Sequence, residues 1–139
     1  MSHILKVTLV QIGPDWFVDV DEQGNPQPNH VDRDPNPQTI SWHLSGNAYQ
    51  GSFSTSSLAW QNPPPKPGTF DDAIPTPQGK HLNMTDNHVS SSTAGTWIYQ
   101  LSFKIGSKKY STLVALASGG KKKGGVTSLT VTNPTIKNN

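Results

Sequence analysis

The chain contains no cysteine. That absence excludes disulfides, thiolate nucleophiles, zinc knuckles and any copper centre that depends on a thiolate. Charge is also scarce: charged residues are 14% of 139 and hydrophobic residues only 32%, both below the usual globular share. No run approaches the 18 apolar residues that a membrane-spanning helix needs. The opening stretch, MSHILKVTLVQIGPDW, has no basic region followed by a long apolar run and no small-residue cleavage site. We therefore expect a soluble protein of the bacterial cytoplasm with no membrane partner. Helical periodicity is missing as well, because no segment of useful length repeats apolar residues every 3.6 positions.

Ser, Thr, Asn and Gln fill the space, with twelve Gly and twelve Pro. Such a composition suits many short strands and many turns. Disordered chains lack recurring aromatic and β-branched runs, and this one has them. The length suits one domain, expected over residues 1–139.

Alternation with period two recurs along the chain. ILKVTLVQI puts Leu5, Val7 and Leu9 on one face with Lys6 and Thr8 opposite. DWFVDVD turns Trp16, Val18 and Val20 inward and Asp19 and Asp21 outward. TISWHLSG buries Ile40, Trp42 and Leu44 and leaves Ser41, His43 and Ser45 facing water. Further short strands are expected around Phe53, around Leu58 and Trp60, and through Leu82 and Met84. The clearest pattern is GTWIYQLSFKIG, with Trp97, Tyr99, Leu101, Phe103 and Ile105 on one face. A turn at GSKK returns the chain through YSTLVAL as a hairpin, and VTSLTVTNPTI supplies a last strand. About seven to nine strands with turn-rich spacing predict an all-β fold, a single antiparallel β-sandwich. The proline-broken stretch GNPQPNHVDRDPNPQ is expected to wrap its edge, and NPPPKPG (Asn62–Gly68) to run as polyproline II.

AGTWIYQLS (Ala94–Ser102) resembles the G-T-Y/W-x-Y strand of cupredoxins and, less closely, the tyrosine-corner strand of immunoglobulin-like domains. The resemblance implies a sandwich of cupredoxin-like or immunoglobulin-like type. In cupredoxins this strand continues into the copper-binding Cys, where this chain has Leu101 followed by Ser102, so the copper activity does not come with it. ISWHLSGNAYQGSFS, GTWIYQLSF, YST and TNPTIKNN together also resemble a group of small uncharacterised bacterial proteins, which implies a fold and brings no functional residues.

Candidate chemistry is sparse. Asp15, Asp19, Asp21, Glu22, Asp32 and Asp34 cluster early. DVDEQG opens like a calcium loop, but its twelfth position is His30 rather than Glu, and DRDPNP has Pro37 where the turn glycine belongs. Among the five histidines, His81 and His88 flank Asp86 closely enough to suggest a weak metal site, although TDNH reads equally as a turn. No metal-protease motif, nucleophile elbow or phosphate-cradling loop occurs, so neither an enzyme nor a cofactor is expected. Trp16, Trp42 and Trp97 sit in the inward phase of their strands and read as core. Trp60, with Tyr49 or Phe70, is a candidate sugar-binding surface, though packing explains it as well. We expect a non-catalytic binding or interaction module for an unknown protein or small ligand.

Charge is lopsided. Residues 1–86 hold all nine acids and four basic residues, and residues 87–139 hold seven lysines and no acid. Such asymmetry marks either a charged binding surface or two halves that neutralise each other. Lys121, Lys122 and Lys123, between glycine pairs in ASGGKKKGGV, are the polyanion candidate. No aromatics interleave with them as nucleic-acid binding would favour, so a solvated loop tip is the simpler reading. Ordering such a loop costs about 1–2 kcal/mol per residue with no apolar group to offset it. Changing all three lysines to Ser is therefore expected to alter the unfolding free energy by less than about 1 kcal/mol. A larger loss in a urea titration would make the triplet structural.

Overall fold

The hairpin that begins the fold is set by two residues. β1 (Ser2–Ile12) and β2 (Asp15–Asp21) pair antiparallel from Ile12↔Asp15 to Lys6↔Asp21. Between them lie only Gly13, at φ +64°, and Pro14. A two-residue hairpin turn places Gly at a positive φ, which an L side chain resists, and Pro pre-sets the next φ. The computed structural model describes residues 2–21, 30–112 and 134–139.

The first sheet continues from β1 to β4 (Gln38–Leu44), β7 (His81–Asp86) and β6 (Ile74–Pro75), in the order β2-β1-β4-β7-β6. The second is built on β8 (Gly95–Ile105), an 11-residue strand. β5 (Leu58–Trp60) lies along one edge of β8, and Gln61, Ser57 and Ser52 extend that contact through backbone hydrogen bonds to Ile98, Ser102 and Lys104. Along the other edge run β9 (Lys108–Ser111) and then β10 (Thr135–Asn138), on which β3 (His30–Val31) pairs. Among the described residues the only helical pieces are three-residue 3-10 turns at Gly46–Ala48 and Ser91–Thr93. None is long and apolar enough to cross a membrane.

The inward faces of the two sheets meet in one apolar core. Leu5 and Val7 from β1, Val18 from β2, Ile40, Trp42 and Leu44 from β4, and Leu82 and Met84 from β7 face Tyr99, Leu101 and Phe103 from β8 and Ile136 from β10. The all-β, sandwich-like expectation holds. The sheets are mixed rather than antiparallel, however, because β1 pairs parallel with β4 and β10 parallel with β3. Alternation assigns faces, not partners, and a long connection between β1 and β4 lets the chain return in the same direction. There are ten described strands; two-residue β3 and β6 are too short to leave a pattern.

Several details differ from the sequence reading. Trp16 is 42% exposed. It opposes Gln11 at the hairpin end, beyond the Ser2–Val7 stretch of β1 that β4 covers, so no strand lies beside it to bury it. Trp97 is half-buried rather than core. The turn after β8 is Gly106–Ser107 alone, with Gly106 at φ +62°, and Lys108 and Lys109 already belong to β9. Ser52 makes only an isolated bridge beside Phe53. The continuation of YSTLVAL past Thr112, the start of VTSLTVTNPTI, and Lys121, Lys122 and Lys123 lie outside the described residues.

The sheets are joined at their centre by Trp42 and Tyr99, both fully buried. Trp42 Nε1–H donates to Tyr99 Oη at 3.0 Å, and the rings meet edge-on at 5.5 Å. Trp42→Ala is expected to cost about 3–5 kcal/mol. Tyr99→Phe, which strands the indole N–H, should cost about 1–3 kcal/mol. Trp97→Ala should cost less than Trp42→Ala, because part of that ring stays in water. Urea midpoints of the three variants give the ranking, and a Trp97→Ala loss equal to that of Trp42→Ala would contradict it.

Candidate functional site

The alternation that buries Ile40, Trp42 and Leu44 forces Thr39, Ser41 and His43 onto the outer face of the first sheet. β4 and β7 pair antiparallel with Ser41 opposite Asn83 and His43 opposite His81. Directly opposed residues share a face. Ser41, His43, His81 and Asn83 therefore form one patch. In front of it is an open groove of about 680 Å³. Its floor is Thr39, Ser41, His43, Asn83 and Thr85, and Asp71, Asp72 and the exposed side chains of Ile4 and Ile74 stand at its sides.

Hydrogen bonds fix the floor. Ser41 Oγ–H donates to Asn83 Oδ1 at 2.5 Å, and His43 Nε2 lies 2.9 Å from Ser41 Oγ. A hydroxyl has one proton. Given to Asn83, it leaves Ser41 Oγ to accept from His43 Nε2–H, a tautomer assigned by the network, with His43 Nδ1 as an acceptor. The imidazole of His43 stacks on that of His81, centroids 3.7 Å apart and planes 11° from parallel. Burial lowers the pKa of His43, and the charge of a protonated His81 lowers it further. The neutral ring is thus favoured.

A serine beside a histidine invites comparison with hydrolytic dyads, but the hydrogen bond runs the other way. A general base must accept the serine proton, whereas here that proton goes to an amide oxygen. Ser41 is also only 7% exposed.

The residues singled out from the sequence are distributed elsewhere. His81, Asp86 and His88 do not come together as a metal site: His81 faces outward from β7, while Asp86 and His88 are fully buried. Both ring nitrogens of His88 are engaged, Nδ1 with Thr93 Oγ1 at 2.8 Å and Nε2 with the carbonyl oxygen of Asn139. Among the described residues no three potential metal-ligating side chains converge. In the early acid group, Asp15 and Asp32 are exposed, Asp32 accepts from Asn139 Nδ2 at 2.7 Å, and Asp34 accepts from the Asn36 N–H. Glu22 lies outside the described residues.

Trp60 packs on Phe70 at 4.9 Å and Phe70 meets Trp97 edge-on at 5.5 Å, which makes a half-buried aromatic cluster rather than an open platform. Tyr49 instead lies under the Lys80 ammonium, 5.0 Å from the ring centre. The sequence reading placed Ser41 and His43 on the outer face, but Ser41, expected to face water, is buried, and Asn83, Asp71, Asp72 and the His43–His81 stack were missed. Only the strand register brings these together. No family model matches the chain, and no curated protein matches it.

The interior carries its own polar pair. Asn138 Nδ2 donates to Asp86 Oδ1 at 3.0 Å and to the Thr93 carbonyl at 2.9 Å, so the orientation of the amide is fixed. That leaves two buried acceptors without a donor, Asp86 Oδ2 and Asn138 Oδ1. A proton on Asp86 offers them one. Burial raises the pKa of Asp86 from 3.8 to about 6, against the opposing pull of the Asn138 hydrogen bond and of His88 and His3. Because the folded chain holds this proton more tightly than the unfolded one, the contribution of Asp86 to stability is fully present below 3.8 and is lost as pH rises towards about 6. Asp86→Asn supplies a neutral donor for the second acceptor. The variant should gain stability over the native chain at pH 7 and lose that advantage at pH 4, read from urea midpoints; an equal difference at both pH values would contradict it.

Proposed function

We propose that the chain is a non-catalytic β-sandwich binding module whose ligand lies in the groove on the outer face of the first sheet. The observation that carries this reading is the fixed floor: Ser41, Asn83 and His43 are locked to one another before any ligand arrives. Preorganised polar groups lose little freedom on binding, which is what a recognition site needs. The groove offers acceptors in the Asp71 and Asp72 carboxylates and in His43 Nδ1, and no lysine or arginine lines it. Ile4, 52% exposed, and Ile74, 62% exposed, add apolar contacts. This chemistry favours a small ligand or peptide segment bearing an amine or guanidinium on an aliphatic stem, whose stem lies on the isoleucines. The sandwich itself we infer to be of cupredoxin-like or immunoglobulin-like type without the copper, a reading supported by the strand that begins Gly95-Thr96-Trp97.

Titration with short lysine- and arginine-containing peptides, followed by amide NMR, tests the proposal. Shifts should cluster at Thr39–His43, Asp71–Ile74 and Asn83–Thr85. Asp71→Asn with Asp72→Asn should weaken binding by about ten-fold, the equivalent of one charge-assisted hydrogen bond. Peptides that bind elsewhere, or that ignore the double variant, would refute the groove. Hydrolysis of simple esters that disappears in Ser41→Ala would refute the non-catalytic reading.

A further inference from the structure

A second recess, of opposite chemistry, lies on the other sheet. It holds about 300 Å³ between the 52–57 loop and the β8–β9 hairpin. Five serines line it (Ser52, Ser54, Ser56, Ser57 and Ser102), with Lys104 and Lys109. We propose that this recess binds a tetrahedral oxyanion, a phosphate or sulfate group carried on a small molecule.

The first argument is an unexplained repulsion. Lys104 and Lys109 are direct partners across the antiparallel β8–β9 pair. Like charges directly opposed on one sheet face destabilise it. On its far side Lys104 is bridged to Ser52, so Ser52, Lys104 and Lys109 form one row across three segments. No acid lines the recess, and residues 87–139 contain neither Asp nor Glu, so that whole stretch, the undescribed residues 113–133 included, has no carboxylate to place there. An anion between the two ammonium groups turns this repulsion into attraction.

The second argument is the supply of hydroxyl donors. The loop is closed by its own serines: Ser57 N–H donates to the Ser54 carbonyl, Ser54 N–H to Ser57 Oγ, and Ser56 N–H to Ser54 Oγ. Turn formation alone explains why serines stand here. It uses their oxygens as acceptors, however, and leaves protons over. Ser54 and Ser56 share one hydroxyl-to-hydroxyl bond at 3.1 Å, so one of their two protons is spare. Ser57 Oγ–H and Ser52 Oγ–H have no acceptor among the described residues. Spare hydroxyl donors beside two ammonium groups match the oxygens of a tetrahedral dianion. Two buried rings, Phe53 against Phe103 in a T-shaped contact at 6.1 Å, hold the loop against β8, so the donors are fixed before binding.

This site is distinct from the groove of the first sheet, and its failure would leave that reading standing. Inorganic phosphate and sulfate serve as probes, with sodium chloride at matched ionic strength as control, and phosphoserine and a simple sulfate ester separate the two carriers. Amide NMR should show saturable shifts at residues 52–57, 102–104 and 108–110 with phosphate or sulfate and none with chloride. Lys104→Gln with Lys109→Gln should weaken the affinity by about ten-fold or more. Lys109→Glu, which gives Lys104 an opposite charge, should abolish binding while the unfolding midpoint stays level or rises, a readout that excludes loss of fold. The triple Ser variant of Lys121, Lys122 and Lys123 should bind as the native chain does. Chloride producing the same shifts, binding undiminished in the double variant, or binding lost with Lys121–Lys123 would each overturn the assignment.

Discussion

The donated hydrogen bond from Trp42 to Tyr99 ties the middle of one sheet to the middle of the other. β4 is the third of five strands in its sheet, and β8 carries β5 on one edge and both β9 and β10 on the other. An indole and a phenol bring large apolar surface to the centre, but each also brings a polar atom that must not be stranded. Pairing the two meets both demands and fixes the relative position of the sheets. From Tyr99 the contact passes to Trp60 at 6.2 Å and on through Phe70 to Trp97, so one line of rings runs from the fully buried centre to the half-buried rim. The same constraint sets the outer surface. With Trp42 held inward, period-two geometry leaves Ser41 and His43 no choice but the outer face, and a slip of one residue would exchange core for site.

A second, polar junction closes one end. Asn138 of β10 reaches across to Asp86 of β7, and His88 joins the segment after β7 to Thr93 and Asn139. Nearby, Gln38 Oε1 accepts from His3 Nε2–H and Gln38 Nε2–H donates to the Asp32 carbonyl. Such groups contribute little net stability when paired and cost more when one partner is lost. Their effect is directional. An apolar end could slide, whereas these donors and acceptors meet in one register only.

The legible part of this molecule is what alternation encodes. The inward faces of β1, β4 and β8 were readable because Leu5, Val7, Ile40, Trp42, Leu44, Tyr99, Leu101 and Phe103 each recur at every second position. Alternation gives phase and not cover. Trp16 stands in the correct phase but lies beyond the stretch that β4 covers, while Trp97, paired with Ile136, sits at the half-buried rim. Parallel pairing of β1 with β4 joins residues more than 30 positions apart and leaves no local trace. The groove was half readable for the same reason. Ser41 and His43 could be placed on the outer face, while Asn83 and His81 become their partners, and Ser41 is buried beneath them, only through the β4–β7 register, and Asp71 and Asp72 join through a loop that alternation does not describe.

The lopsided charge finds its explanation in the same geometry. Every strand of the first sheet comes from residues 2–86, where all nine acids lie, and β8, β9 and β10 come from the half that has seven lysines and no acid. The halves do fold together, but they meet through their apolar faces. Their outer faces point away from each other, one with Asp71 and Asp72 beside the groove, the other with Lys104 and Lys109 in a row. Charges on opposite sides of a sandwich whose sheets are packed about 10 Å apart are separated by more than the roughly 8 Å over which physiological salt screens them. Across that distance Asp71 and Asp72 neutralise Lys104 and Lys109 only weakly, so the groove and the recess differ in sign although the formal net charge of the chain is only +2.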